Sequence, residues 1–140
     1  MKTITTIIAL LLFVNFTQAQ ETNTGKTITV KINNIANNNG QILVSLNNEA
    51  TFMKGKGIQN LKSTIENGSV ILTFKNVEPG IYAIIAFHDE NSNNQMDFET
   101  NGIPKESYGA SNNDMSFGPP QFNTAKFQVR DEDVALNIKL

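Results

Sequence analysis

The chain has 140 residues, of which 39% are hydrophobic, and its 11 Lys and Arg stand against 13 Asp and Glu. It holds no Cys, no Trp and a single His. These counts exclude disulfide stapling and a multi-histidine zinc site, and a net charge of −2 excludes the basic footprint of a nucleic-acid binder.

The N-terminus reads as a secretory signal peptide. Lys2 supplies a positive charge, Ile7 to Val14 is an unbroken apolar run, and Thr17-Gln18-Ala19 places small residues at the −3 and −1 positions of a cleavage site. The run is far shorter than the roughly 20 residues that span a bilayer, so no membrane span is expected. No Cys is present for lipid attachment. Cleavage after Ala19 leaves residues 20–140 as one domain, placed in the periplasm or outside the cell.

Past a polar lead-in, Thr27–Asn33 alternates Ile28, Val30 and Ile32 with polar residues, the period-two signature of a half-buried strand. Asn39-Gly40 follows, and Gln41–Leu46 alternates Ile42, Val44 and Leu46. Asn-Gly between two alternating runs predicts a β-hairpin. Glu49–Lys54 has room for one helical turn before Gly55 and Gly57, and Leu61–Ile65 reads as a short edge strand. After Asn67-Gly68, Ser69–Lys75 alternates Val70, Leu72 and Phe74. Pro79-Gly80 marks a turn. Ile81–Phe87 is apolar on both faces and predicts a central strand. Thr124–Arg130 and Val134–Leu140 alternate again around the charged turn Asp131-Glu132-Asp133. Seven short strands with almost no helical periodicity predict an all-β, seven-stranded antiparallel sandwich of immunoglobulin-like or prealbumin-like type.

Between the fifth and sixth of these strands lies one long acidic loop, Phe87–Phe122. From Asp89 to Asp114 six acids face one base, Lys105. Asp89, Asn91, Asn93 and Asp97 fall at positions 1, 3, 5 and 9 of a calcium loop, and Gln95 at position 7 offers its backbone carbonyl. Alternating Asp and Asn on a tightly turning chain converge hard oxygens, which is what Ca²⁺ requires. Position 6 needs a sharp turn and is Asn94, which tolerates left-handed backbone better than any residue but Gly. Position 12 is Thr100 rather than a bidentate Glu, leaving Glu99, Thr100 and Glu106 as candidates to complete the site. Two formal charges among the ligands predict weak affinity, on the order of 10⁻⁴–10⁻³ M. The same spacing also serves Asx turns that bond only their own backbone.

Val77-Glu78-Pro79-Gly80-Ile81-Tyr82 resembles the Pro-Gly-x-Tyr strand entry of transthyretin-like and carboxypeptidase-regulatory-like sandwiches. A longer run runs through His88-Asp89-Glu90-Asn91, Asp97, Gly102-Ile103-Pro104-Lys105-Glu106, Tyr108-Gly109, Ser111-Asn112-Asn113 and Gly118-Pro119-Pro120 to Phe122. It resembles the bacterial family catalogued as domain of unknown function 2141. The resemblance implies a secreted or periplasmic β domain with no established activity. The family usually carries Gly where this chain has Ser92 and Asn94.

Residues Gly102–Asn113 read either as a segment packed over the sheet end or as a ligand pocket using Tyr108, Lys105 and Ser111. A Ser111–His88–acid triad is possible on paper, but no nucleophile elbow accompanies it. The expected function is therefore a calcium-stabilised binding or structural module of the cell envelope, not an enzyme. Its partner is an envelope protein, a glycan or a small molecule. The alternative is a small hydrolase using His88 and the loop carboxylates.

Overall fold

A computed structural model describes residues 25–114 and 118–140. The expected signal peptide lies outside the described residues. The fold is all-β, with eight strands in two sheets among the described residues. One sheet has the order β4-β1-β8, from β4 (Val70–Val77), β1 (Lys26–Ile32) and β8 (Val134–Ile138). The other has the order β3-β2-β5-β6, from β3 (Gln59–Ser63), β2 (Gln41–Asn47), β5 (Gly80–Asp89) and β6 (Tyr108–Ala110). β7 (Phe127–Val129) pairs with the first residues of β5.

Alternation decides which side chains meet between the sheets. Ile28, Val30 and Ile32 of β1, with Val70, Leu72 and Phe74 of β4, face Ile42, Val44 and Leu46 of β2 and Ile84 and Ala86 of β5, all buried. A fully buried aliphatic side chain contributes roughly 1.5–3 kcal/mol relative to exposure, so this layer is the main source of stability. Without cysteines, nothing covalent supplements it.

The predicted hairpin does not form. β1 pairs with β4 and β8, whereas β2 pairs with β3 and β5, so the Asn39-Gly40 segment carries the chain from one sheet to the other. Gly40 does have the positive φ that the turn signal implies, at 66°. It is required for a different reason: a Cβ at Gly40 would overlap the carbonyl oxygen of Asp89 and the backbone of Glu90. β1 and β8 run parallel, an exception to the antiparallel arrangement elsewhere. The strand predicted from Thr124 is shorter than expected, because Phe122–Ala125 forms a single helical turn, α1, before β7 begins. β6 is an eighth strand, inside what the sequence presents as loop.

β5 is central, between β2 on one side and β6 and β7 on the other. Its two apolar faces have different covers. Ile84 and Ala86 face the opposing sheet, while Ala83 and Ile85 pack against Phe52, Phe122 and Ala125 from outside. Phe52 and Phe122 meet edge to face, with ring centroids 5.6 Å apart. β5 ends at His88 and Asp89, so the acidic loop starts from the most firmly held strand of its sheet.

Candidate functional site

Asp89 closes β5 on the outer face of its sheet, opposite Gln41 of β2, and is fully buried. Its Oδ1 accepts from the Asn93 backbone N–H at 3.0 Å, and its Oδ2 from the Asn94 N–H and Gln41 Nε2, each at 2.8 Å. Burial opposes ionisation of this carboxyl. The bonds from Gln41 and the backbone of Asn94, Asn93 and Ser92 outweigh it and hold the group below its ordinary range.

From Asp89 the chain turns through successive Asx turns. Asn91 Oδ1 accepts from the Asn93 N–H at 3.0 Å, and Asn93 Oδ1 from the Gln95 N–H at 2.8 Å. Ser92 and Asn94 take positive φ of 60° and 63°, the left-handed region that the tight turn requires. The side-chain amides of Asn91 and Asn93 both point at Asp97. Asn91 Nδ2 donates to it at 2.6 Å, and Asn93 Nδ2 lies 3.2 Å from each of its oxygens. The structure thus brings Asn91, Asn93 and Asp97 together and ties Asp89 to the backbone of the same turn. Gln95 takes part through its N–H.

Glu106 is the residue that completes this ring. Sequence spacing alone places it too far along the chain. Residues 97–105 fold into a small hairpin, with Lys105 N donating to Asp97 O, Glu99 N to Ile103 O, and a Phe98–Pro104 bridge. This doubling back delivers Glu106, 7% exposed, to both ends of the turn: Oε1 accepts from the Glu90 N–H at 3.1 Å and Oε2 from the Asp97 N–H at 3.2 Å. Thr100 and Glu99 lie in the hairpin, and both are exposed.

The donor set consists of carboxylate and amide oxygens, which suits a hard cation. Among the described residues no three His, Cys, Asp or Glu side chains form a metal cluster, so a cation here relies on Asn oxygens. The amides of Asn91 and Asn93 now present N–H to Asp97. A cation beside Asp97 takes the place of those donors and requires each amide to rotate. The set fits calcium on that condition.

His88 faces the core and is fully buried. Its Nε2 lies 2.7 Å from the Asn39 carbonyl, which can only accept, so Nε2 carries the proton. Among the described residues Nδ1 has no hydrogen-bond partner, and it lies 3.9 Å from Glu90 Oε1. Ser111 is also fully buried. Its Oγ donates to the Ala125 carbonyl and accepts from the Ile84 N–H, four residues back along β5 from His88. At about 3.3 Å per strand residue, Ile84 and His88 are some 13 Å apart along β5, and Ser111 and His88 bond different backbone partners, so the triad possible on paper is not assembled. Asn112 and Asn113 complete a structural clamp. Asn112 Nδ2 bonds the carbonyls of Thr124 and Lys126, and Asn113 bonds Asn137 and Lys139 as an extra strand would.

Of the expected pocket residues, Tyr108 lines a groove, and Lys105 and Ser111 are not part of its lining. A groove of about 950 Å³ lies between the outer face of the β2-β5-β6 sheet and the 97–105 hairpin. Leu43, Ile85, Phe87 and Tyr108 line it from the sheet, and Phe98, Ile103 and Pro104 from the hairpin. Sequence patterning signals this face only weakly, through the second apolar row of β5.

The fold and the loop define a class: a two-sheet β-sandwich with an Asp/Asn turn locked by a returning glutamate and an apolar groove at its side. Residues 30–137 match the family model described as an uncharacterized protein conserved in bacteria (DUF2141), and the chain belongs to that family. No curated protein and no solved structure matches the chain. Among the described residues no helix is long and apolar enough to cross a membrane.

Proposed function

We propose that this protein is an exported β-sandwich binding module of the bacterial cell envelope, with calcium in the Asp89–Asp97 turn bracing its binding face. The observation that carries the reading is the convergence of the Asn91 and Asn93 amides on Asp97, beside an Asp89 held ionised by its neighbours. Ca²⁺ brings charge to a ring that is otherwise satisfied only by N–H donors. Asp97 and Glu106 join the turn to the 97–105 hairpin, so a cation that stiffens the turn also fixes Phe98, Ile103 and Pro104 beside the groove. The groove is concave and apolar, and its volume lies in the range of small-molecule sites. That favours a small molecule over a glycan, for which the chain has no Trp platform.

Thermal unfolding of the mature domain tests this in chelator, in millimolar calcium and in magnesium. A ligand confined to the folded state at ten times its Kd stabilises by about 1.4 kcal/mol. The expected result is a calcium-specific rise in Tm that Asp97→Ala removes. An unchanged Tm in calcium, with a folded protein, contradicts the metal reading and leaves the ring as a set of Asx turns.

A further inference from the structure

Three Asn-Gly steps occur in the chain, at Asn39-Gly40, Asn67-Gly68 and Asn101-Gly102. All three asparagines are exposed, so exposure does not separate them. Hydrogen bonding does. The Gly68 N–H donates to Asn38 Oδ1 at 3.0 Å, and the Gly102 N–H to the Glu99 carbonyl at 2.9 Å. Asn101 Oδ1 also accepts from the Ile103 N–H at 3.1 Å. Among the described residues neither the Gly40 N–H nor the Asn39 side chain has a hydrogen-bond partner, and the ladder between β2 and β5 begins one residue later, at Gln41. The peptide unit between Asn39 and Gly40 is held only through its carbonyl, which accepts from the buried His88 Nε2–H at 2.7 Å.

We propose that Asn39 is a site of spontaneous deamidation, singled out by the fold from the three Asn-Gly steps. The Gly40 nitrogen attacks Asn39 Cγ and forms the new C–N bond of a five-membered imide. The Cγ–Nδ2 bond breaks, and the side-chain nitrogen departs as ammonia with the proton that Gly40 gives up. As that proton leaves, negative charge spreads onto the Asn39 carbonyl oxygen, where the His88 N–H already points. A donor fixed where charge develops lowers the barrier. Water then opens the imide. Attack at Cγ gives aspartate at position 39, and attack at the main-chain carbonyl gives isoaspartate, which lengthens the backbone by one methylene. The chain has no slack for it there, since even a Cβ at Gly40 would overlap the Asp89 carbonyl. Isoaspartate therefore displaces the carbonyl that His88 holds and loosens the end of β5, from which the acidic turn starts. The inference does not depend on calcium in the turn.

The test is incubation of the mature domain in mildly alkaline buffer, folded and, in parallel, unfolded in concentrated urea. Peptide mass spectrometry follows aspartate and isoaspartate at each Asn-Gly step over time. In the folded domain Asn39 should convert at least about fivefold faster than Asn67 or Asn101, the weight of one hydrogen bond on the attacking N–H. In urea the three rates should converge. His88→Leu removes the donor and should shrink the lead of Asn39, whereas His88→Gln keeps an N–H for the carbonyl and should retain most of it. The wild-type comparison decides the matter even where these buried variants fail to fold. Equal rates at the three steps in the folded domain, or a lead of Asn39 that persists in urea, overturns the proposal. A folded His88→Leu domain with the full lead refutes the part assigned to His88.

Discussion

Glu106→Ala is the most informative single change in the acidic loop. The wild-type carboxylate is 7% exposed and satisfies two backbone donors, the N–H of Glu90 and of Asp97. Alanine leaves both without their acceptor. A hydrogen bond to a charged group is worth about 1.5–3 kcal/mol, and both sites are part-buried, so the low end applies and the two bonds together lose about 3 kcal/mol. Glu106→Gln keeps the shape and one acceptor while turning an N–H toward the other donor. It should lose about half as much. Urea unfolding at neutral pH gives both values, and amide exchange at Glu90 and Asp97 shows whether those N–H groups lose protection. A Glu106→Ala variant within about 0.5 kcal/mol of wild type, with exchange unchanged, would refute the argument that this glutamate locks the turn.

Two further predictions concern the same turn. The folded-state pKa of Asp89 is depressed, so its contribution is complete above the unfolded value of about 3.9 and is lost as pH falls through the lower folded value. Urea midpoints measured from pH 6 down to 2 should therefore fall in acid, and Asp89→Asn should flatten that fall. An unchanged acid limb in the variant contradicts the assignment. Ser92 has φ of 60°, is exposed, and accepts only through its backbone carbonyl. Ser92→Gly relieves a left-handed strain of about 1–2 kcal/mol at some entropic cost, for a net gain of about 0.5 kcal/mol. The corresponding Tm rise is about 2 °C. A lower Tm rules out backbone strain at this position.

Much of the fold was legible in the sequence, because burial on one face of a strand writes itself as alternation. Ile28, Val30 and Ile32, Ile42, Val44 and Leu46, and Val70, Leu72 and Phe74 are all core residues. Alternation says which face is buried but not which strand lies alongside, so the Asn-Gly signal at residues 39–40 misassigned β1 and β2 to one hairpin. Gly40 is there to let the chain pass against Asp89, a contact between residues far apart in sequence. β6 escaped notice because Tyr108-Gly109-Ala110 has no alternation, and its glycine is needed where a Cβ would overlap the Lys139 carbonyl.

The site divides in the same way. That Asp89, Asn91, Asn93 and Asp97 share one turn was legible, because each bonds within a few residues of the others. Gln41 and the groove depend on strand pairing, which local spacing does not encode, and only the 97–105 hairpin separates Glu106 from Glu99 and Thr100, the other two candidates that the sequence offers. Ser111 looked like a pocket or nucleophile residue, and instead bonds the backbone of β5 and α1.

The central claim, a cation ring closed on Asp97, is tested most directly by a calcium titration followed through the side-chain amide signals of Asn91 and Asn93. Those groups donate to Asp97 and must rotate to offer oxygen to a cation beside it. The account predicts saturable shifts of both amide pairs and of the backbone from Asp89 to Asp97 at millimolar calcium, absent with magnesium and in Asp97→Ala. Unmoved Asn91 and Asn93 signals at saturating calcium would contradict it.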